Sequence, residues 1–223
     1  MRAVCIADIH GDLEAVTRLR NSIADKDIRY AFLLGDFSKG FKDPAENRAD
    51  ITAILDTLSD YDVKAIPGNC DQRETTDILS ERNANLHNTV LKLPDADIIG
   101  FGGSNPTPFN TPFEYSEEDI GKALEQLHSG VDEGSKVIVM SHFPPKDTRC
   151  DQISDGTHVG STALREYIEE KQPNLVLCSH IHESGGSEDK IGDSRIFNLG
   201  RISEGRAYIL EAGDAIEFGF YTG

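Results

Sequence analysis

Five short apolar runs in this chain each end, within a few residues, on side chains of the kind that bind metal ions. Residues 3–7 lead to Asp8 and His10, 30–34 to Asp36, 63–66 to Asn69, 136–141 to His142, and 175–179 to His180 and His182. Short apolar runs bounded by turn residues and separated by amphipathic segments are the pattern of strands joined by helical crossovers. In such sheets the loops beyond the carboxyl ends of the strands converge, so ligands distant in sequence can meet there. Any one of these motifs is weak, because a Gly-Asp pair is usually a turn and a strand-end histidine an ordinary polar residue. Five strand ends carrying ligand types together point to a site.

The segments between the runs support that frame. Leu13, Val16, Leu19 and Ile23 recur at helical spacing opposite a charged face, as do Ile51, Ile54, Leu55 and Leu58, which predicts two crossover helices. Ser116 followed by Glu117, Glu118 and Asp119 supplies an N-cap and first-turn acids, and 161–171 reads as another helix ended by Pro173. A sixth strand is expected over 97–102. Residues 195–199, 207–211 and 215–221 follow one another with glycine-containing turns, which predicts an antiparallel meander. Residues 100–112, rich in Gly, Pro, Asn and Thr, predict a loop over the site. With no internal repeat and no linker, the 223 residues are expected to form a single α/β domain.

Residues two apart on an extended chain point the same way, so Asp8 with His10, and His180 with His182, can each enter one pocket from a single loop. Carboxylate, imidazole and amide oxygen together suit Mn²⁺, Fe²⁺, Zn²⁺, Co²⁺ or Ni²⁺ better than Mg²⁺ or Ca²⁺, which favour all-oxygen shells.

Charge narrows the substrate. A formal net charge of -17 opposes a phosphate backbone, because binding a long nucleic acid relies on Lys and Arg releasing condensed counterions. A small substrate and no long polynucleotide partner are expected. Cys5, Cys70, Cys150 and Cys178 lack CxxC spacing, as in a reducing compartment. The amino terminus has no signal-peptide pattern and no apolar run reaches spanning length, so a cytoplasmic location without a membrane partner is expected.

Asp8-Ile9-His10, Gly35-Asp36, Gly68-Asn69-Cys70-Asp71, Ser141-His142-Phe143-Pro144-Pro145 and Ser179-His180-Ile181-His182-Glu183 resemble the calcineurin-like metallophosphoesterase superfamily, especially its small Icc-related predicted phosphoesterases. Gly102-Gly103-Ser104 and Asn198-Leu199-Gly200 add to the likeness, which covers nearly the whole chain. The resemblance implies a four-layer α/β/β/α sandwich and two divalent ions, with manganese the first expectation. It places Asp8, His10 and His182 on one ion, Asn69, His142 and His180 on the other, and Asp36 between them. It further implies hydrolysis of small or cyclic phosphodiesters, nucleotide-derived ones among them, by a hydroxide shared between ions roughly 3.5–4 Å apart. Asn69, Cys70 and Asp71 fall in the family's catalytic motif.

The chain departs from that pattern at Cys70, where many members carry a histidine that protonates the leaving group. A thiol can donate a proton, but beside two dications it tends toward thiolate. His158, flanked by glycines before a predicted helix, is the expected substitute, ahead of His87. Arg73 and Lys39 are the candidate substrate-phosphate contacts. A phosphomonoesterase or protein phosphatase is the alternative within the enzyme class, and a noncatalytic metal-bearing scaffold the alternative outside it.

Overall fold

A computed structural model describes residues 1–39 and 43–222. Two sheets form. The first has the order β11-β10-β1-β2-β3, from β1 (Arg2–Ile6), β2 (Tyr30–Leu33), β3 (Asp62–Ala65), β10 (Tyr208–Ala212) and β11 (Ile216–Phe220). The second has the order β4-β5-β6-β7-β9-β8, from β4 (Thr89–Leu93), β5 (Ala96–Phe101), β6 (Val137–Ser141), β7 (Leu175–Cys178), β8 (Glu188–Ile191) and β9 (Ser194–Asn198). β1, β2 and β3 run parallel, as do β5, β6, β7 and β9.

The layering follows from strand alternation. Ala3, Cys5, Tyr30, Phe32 and Leu210 of the first sheet are buried against Ile98, Ile138, Met140, Leu175 and Leu177 of the second. The alternate residues Val4, Ile6, Ala31 and Leu33 face outward onto α1 (Leu13–Ile23), α2 (Pro44–Thr57) and α3 (Thr75–Glu81). Ile99, Val139 and Val176 face α4 (Glu117–His128) and α5 (Thr162–Lys171). Strands buried on both faces need near-continuous apolar runs, which is why the central strands read so clearly. The result is the expected four-layer α/β/β/α sandwich. Asp12, Asp43, Ser116 and Ser161 cap α1, α2, α4 and α5 through their side chains. No helix among the described residues is long and apolar enough to cross a membrane.

Three expectations change. The predicted carboxyl-terminal meander is broken: β9 pairs parallel with β7, the chain crosses to the other sheet through a 3₁₀ turn at Ile202–Glu204, and of the three predicted strands only β10 and β11 pair with each other. Apolar strands in sequence look alike whichever sheet they join. β4 and β8 were not anticipated, because both are edge strands whose exposed positions carry polar residues. Leu13, placed on the apolar stripe of α1, is exposed; Ala15 takes the buried position.

Candidate metal centre

The parallel strands deliver all seven expected ligands to one end of the sandwich. Backbone bonds stitch the loops together: Asp8 N–H donates to Gly35 O, His10 N–H to Asp36 O, and Ser179 N–H to His142 O. Gly35 and Gly68 meet back to back, since a Cβ on Gly35 would lie 2.2 Å from Gly68 N and one on Gly68 would lie 2.1 Å from Asp36 Oδ1. This close approach accounts for the glycine before both Asp36 and Asn69.

Asp8, His10, Asp36 and His182 form the first cluster, their ligand atoms all within 4.8 Å of one another. His10 Nε2 lies 3.4 Å from His182 Nε2 and 3.6 Å from Asp36 Oδ2, and His182 Nε2 lies 3.5 Å from Asp8 Oδ1. The second group is built on His142, whose Nε2 lies 3.1 Å from Asn69 Oδ1 and 3.6 Å from Asp36 Oδ1. The His180 ring centroid is 5.3 Å from that of His142. One Asp36 oxygen thus faces each group, which is the disposition a bridging carboxylate needs.

Four of the seven, Asp8, His10, Asp36 and His180, have φ between 46° and 69°. Non-glycine residues held there cost on the order of 1 kcal/mol each and concentrate at functional sites. Asp8 Oδ1 is buried and has no hydrogen-bond partner among the described residues, although its other oxygen accepts from Ser179 Oγ and from His180 N–H. An unpaired buried carboxylate oxygen is unfavourable unless a cation compensates it. His142 Nδ1 lies 2.6 Å from Leu34 O, so it donates there and turns Nε2 toward Asn69 and Asp36, the outer-contact pattern of metal-binding histidines. The residues present therefore fit a pair of divalent ions.

Charge inside the cluster is tightly balanced. Burial pushes Asp36 up, but the His142 charge and hydrogen bond, with His10, outweigh it and hold the carboxyl below its usual range. Asp8 is likewise held down, burial being overcome by His182 and His142. Burial depresses His142, yet Asp36 and Asp8 raise it to about 9. Burial and the His142 charge lower His180 to about 4. Two buried carboxylates thus recruit an imidazolium in the protein alone, which is the demand for positive charge that divalent ions would meet.

A cavity of about 480 Å³ opens over this centre, lined by His10, Asp36, Asn69, Cys70, His180, Ile181, His182 and Glu183, by residues of the 106–111 segment, and by Ile153 and Val159. The loop expected over the site is therefore its wall. Cys70 lines the cavity, and its N–H donates to Asp36 Oδ1 at 2.9 Å. Burial, then the Asp36 and Asp71 carboxylates, push its thiol up, so the protein itself opposes thiolate formation.

Five candidates from the sequence lie outside the cavity lining. Asp71 is fully buried and accepts from the backbone N–H groups of Asp36, Phe37 and Gly68 at 2.9, 2.9 and 2.7 Å. Burial and the Asp36 charge push it up to about 7; it clamps two ligand loops and does not line the cavity. His158 pairs through Nδ1 with the buried Asp151 at 2.6 Å and through Nε2 with Gln152 at 3.0 Å, while its neighbour Val159 takes the cavity wall. Arg73 donates to Pro112 O and Glu114 O and lies over the Phe113 and Tyr115 rings. It secures the loop and does not line the cavity. Lys39 is exposed, its stem near Gly11, and does not line the cavity. His87 is held between Gly102 N–H and Tyr115 Oη.

Sequence reasoning missed Ser179, which donates to Asp8, and Arg201, which donates to His182 Nδ1. Ser179 stands beside the His180-Ile181-His182 motif and was there to be found; Arg201 carries no local signal.

A model of the family described as calcineurin-like phosphoesterase matches residues 1–184. An uncharacterized protein of Methanocaldococcus jannaschii is 36% identical over 206 residues, covering 89% of this chain and 87% of its own. Among solved structures, the protein TT1561 of Thermus thermophilus superposes with a TM-score of 0.73 at 19% identity, covering 98% of both chains. A dimetal phosphatase from Danio rerio gives 0.71 at 10% identity, covering 99% of this chain and 95% of its own. A structure titled as a novel archaeal phosphodiesterase gives 0.51 at 12% identity, covering 99% and 100%. At these identities the structures share the fold.

Proposed function

The chain belongs to the calcineurin-like phosphoesterase family, and we propose that within it the protein is a dinuclear metal-dependent phosphodiesterase acting on small or cyclic phosphodiesters, nucleotide-derived ones included. The carrying observation is Asp36, whose Oδ2 faces His10 and whose Oδ1 faces His142. One ion would be held by Asp8, His10, Asp36 and His182, the other by Asp36, Asn69, His142 and His180, with manganese the first ion to load. Bound there, divalent ions would polarise the phosphoryl oxygens and lower the pKa of an attacking water. The chain's own part is to hold the ligand loops rigid through Asp71, Ser179 and the Leu34 carbonyl, and to wall the reacting phosphate from bulk solvent.

The diester preference rests on the charges around the cavity. No lysine or arginine lines it among the described residues, and Glu183 does. A dianionic monoester would lack the guanidinium or ammonium clamp such substrates favour, whereas a diester brings one negative charge. That weighs against the phosphomonoesterase reading, although the fold neighbour from Danio rerio is described as a phosphatase.

The protein loaded in turn with Mn²⁺, Ni²⁺, Co²⁺, Fe²⁺ or Zn²⁺ should hydrolyse bis(4-nitrophenyl) phosphate faster than 4-nitrophenyl phosphate. His142→Ala should abolish turnover with the fold intact by circular dichroism. Turnover with none of the ions would sink the enzyme reading, and faster monoester hydrolysis would reverse the preference.

A further inference from the structure

We propose that Phe109 is a stacking platform that selects phosphodiesters bearing a planar aromatic group, a nucleoside or an aryl ester, and seats that group beside the metal centre; this rests on the phosphodiesterase reading and specifies its substrate. Phe109 is 76% exposed, the most exposed of the three large hydrophobic side chains that stand out among the described residues. The other two, Leu13 on α1 and Phe220 on β11, lie outside the cavity lining, whereas Phe109 lines it.

An exposed phenyl ring on a floppy loop would mean little, but this loop is braced. Phe109 N–H donates to Thr107 Oγ1 at 3.2 Å, and Thr107 Oγ1 donates to Glu114 Oε1 at 2.6 Å. The same carboxylate accepts the N–H and the hydroxyl of Thr111. Thr111 Oγ1 in turn accepts from Asn69 Nδ2 at 3.1 Å, and Phe113 N–H donates to Asn69 O at 3.1 Å. Arg73 pins the far side through two carbonyls and two aromatic rings. Pro106 and Pro108 restrict the backbone on both sides of Thr107. The backbone that carries the exposed ring is therefore tied through Thr107, Glu114 and Thr111 to a candidate metal ligand.

The rest of the cavity away from the ligands suits the same occupant. Pro106, Pro108, Ile153, Val159 and Ile181 line it with Phe109, an apolar surface continuous with the charged floor. A phosphoryl group seated on the centre would share the cavity with this wall, against which its substituent can lie. Aromatic faces stack on one another or on a base without needing a particular hydrogen-bond pattern. An alkyl substituent as small as methyl would leave the wall wet.

The test uses ligands that cannot react. Diphenylphosphinate and dimethylphosphinate are both monoanions with two P–C bonds, so calorimetric titration of the manganese-loaded protein reads recognition separately from catalysis. The wild type should bind the diphenyl compound at least about tenfold more tightly than the dimethyl compound. Phe109→Ala should weaken the first about tenfold and the second by less than about twofold, with metal stoichiometry unchanged, and Phe109→Tyr should restore the preference. Equal wild-type affinities, binding of neither ligand, or an alanine variant that weakens both alike would overturn the proposal. Aromatic preference without turnover of any diester would refute the catalytic reading alone. Diester turnover without the preference would refute the role of Phe109 alone.

Discussion

Acidification should loosen the loop that carries the cavity wall, and His87 supplies the reason. Its Nδ1 accepts the Gly102 N–H at 2.9 Å and its Nε2 lies 3.0 Å from Tyr115 Oη, with the ring packed against Phe101, Phe113 and Tyr115. A ring that accepts at Nδ1 is neutral there and donates from Nε2. Burial, and secondarily the charge of Arg73, lower its pKa from 6.5 to about 4. A histidine depressed on folding binds fewer protons folded than unfolded, so its contribution is intact above about pH 6.5 and stability is lost as pH falls toward about 4. The gap of about 2.5 units, at about 1.4 kcal/mol each, amounts to about 3 kcal/mol. In a chain of this length that corresponds to roughly 6–12 °C in Tm. Carboxylates titrate over the same range, so the measurement is a difference: thermal melts of wild type and His87→Gln from about pH 7 to about pH 4, the glutamine being unable to titrate. The wild type should lose about 3 kcal/mol relative to the variant across that interval. A difference that stays flat within about 0.5 kcal/mol would refute the assignment of His87 as a half-buried neutral latch.

Two further outcomes follow from contacts at the centre. Cys70 lines the cavity where a proton donor would serve the leaving group, so Cys70→His should accelerate alkyl diesters with poor leaving groups far more than nitrophenyl diesters; unchanged dependence on leaving-group pKa, read from a series of diesters, would show that another donor suffices. Arg201 donates to His182 Nδ1 and brings positive charge toward the first cluster, so Arg201→Ala should tighten Mn²⁺ binding about fivefold, roughly 1 kcal/mol at surface-like screening. Weaker binding in a metal titration would mean that Arg201 instead supports the ligand.

The candidate ligand set was legible because each member follows a strand buried on both faces, and such strands announce themselves as unbroken apolar runs. Legibility faded where partners are distant. Arg73, expected to meet substrate, and Asp71, expected within the catalytic motif, sit next to Asn69, yet one braces Pro112 and Glu114 while the other collects amides from the Asp36 loop. Nothing local distinguishes an arginine that meets a phosphate from one that meets a carbonyl. His158 likewise has its direction set by a distant partner, the buried Asp151. The edge strands β4 and β8 and the seven-residue α3 lack both apolar continuity and, for α3, a side-chain cap, so their existence depends on neighbours the sequence does not name.

These contacts divide the site into parts that can change independently. The ligand loops are over-determined: Asp71 ties Asp36 to Gly68, Ser179 ties Asp8 to the His180 loop, and Leu34 O orients His142. Such bracing can hold left-handed backbone at four ligands, which would otherwise relax. The cavity wall is joined to this core through Asn69, through Arg73 and through Gly103 N–H, which donates to Pro67 O. The side chains of Pro106, Pro108 and Phe109 make none of these bonds, so substitutions there should reshape recognition while leaving metal loading intact. A fold with a rigid metal floor and a separately fastened wall can keep one chemistry and exchange the substrate group it admits.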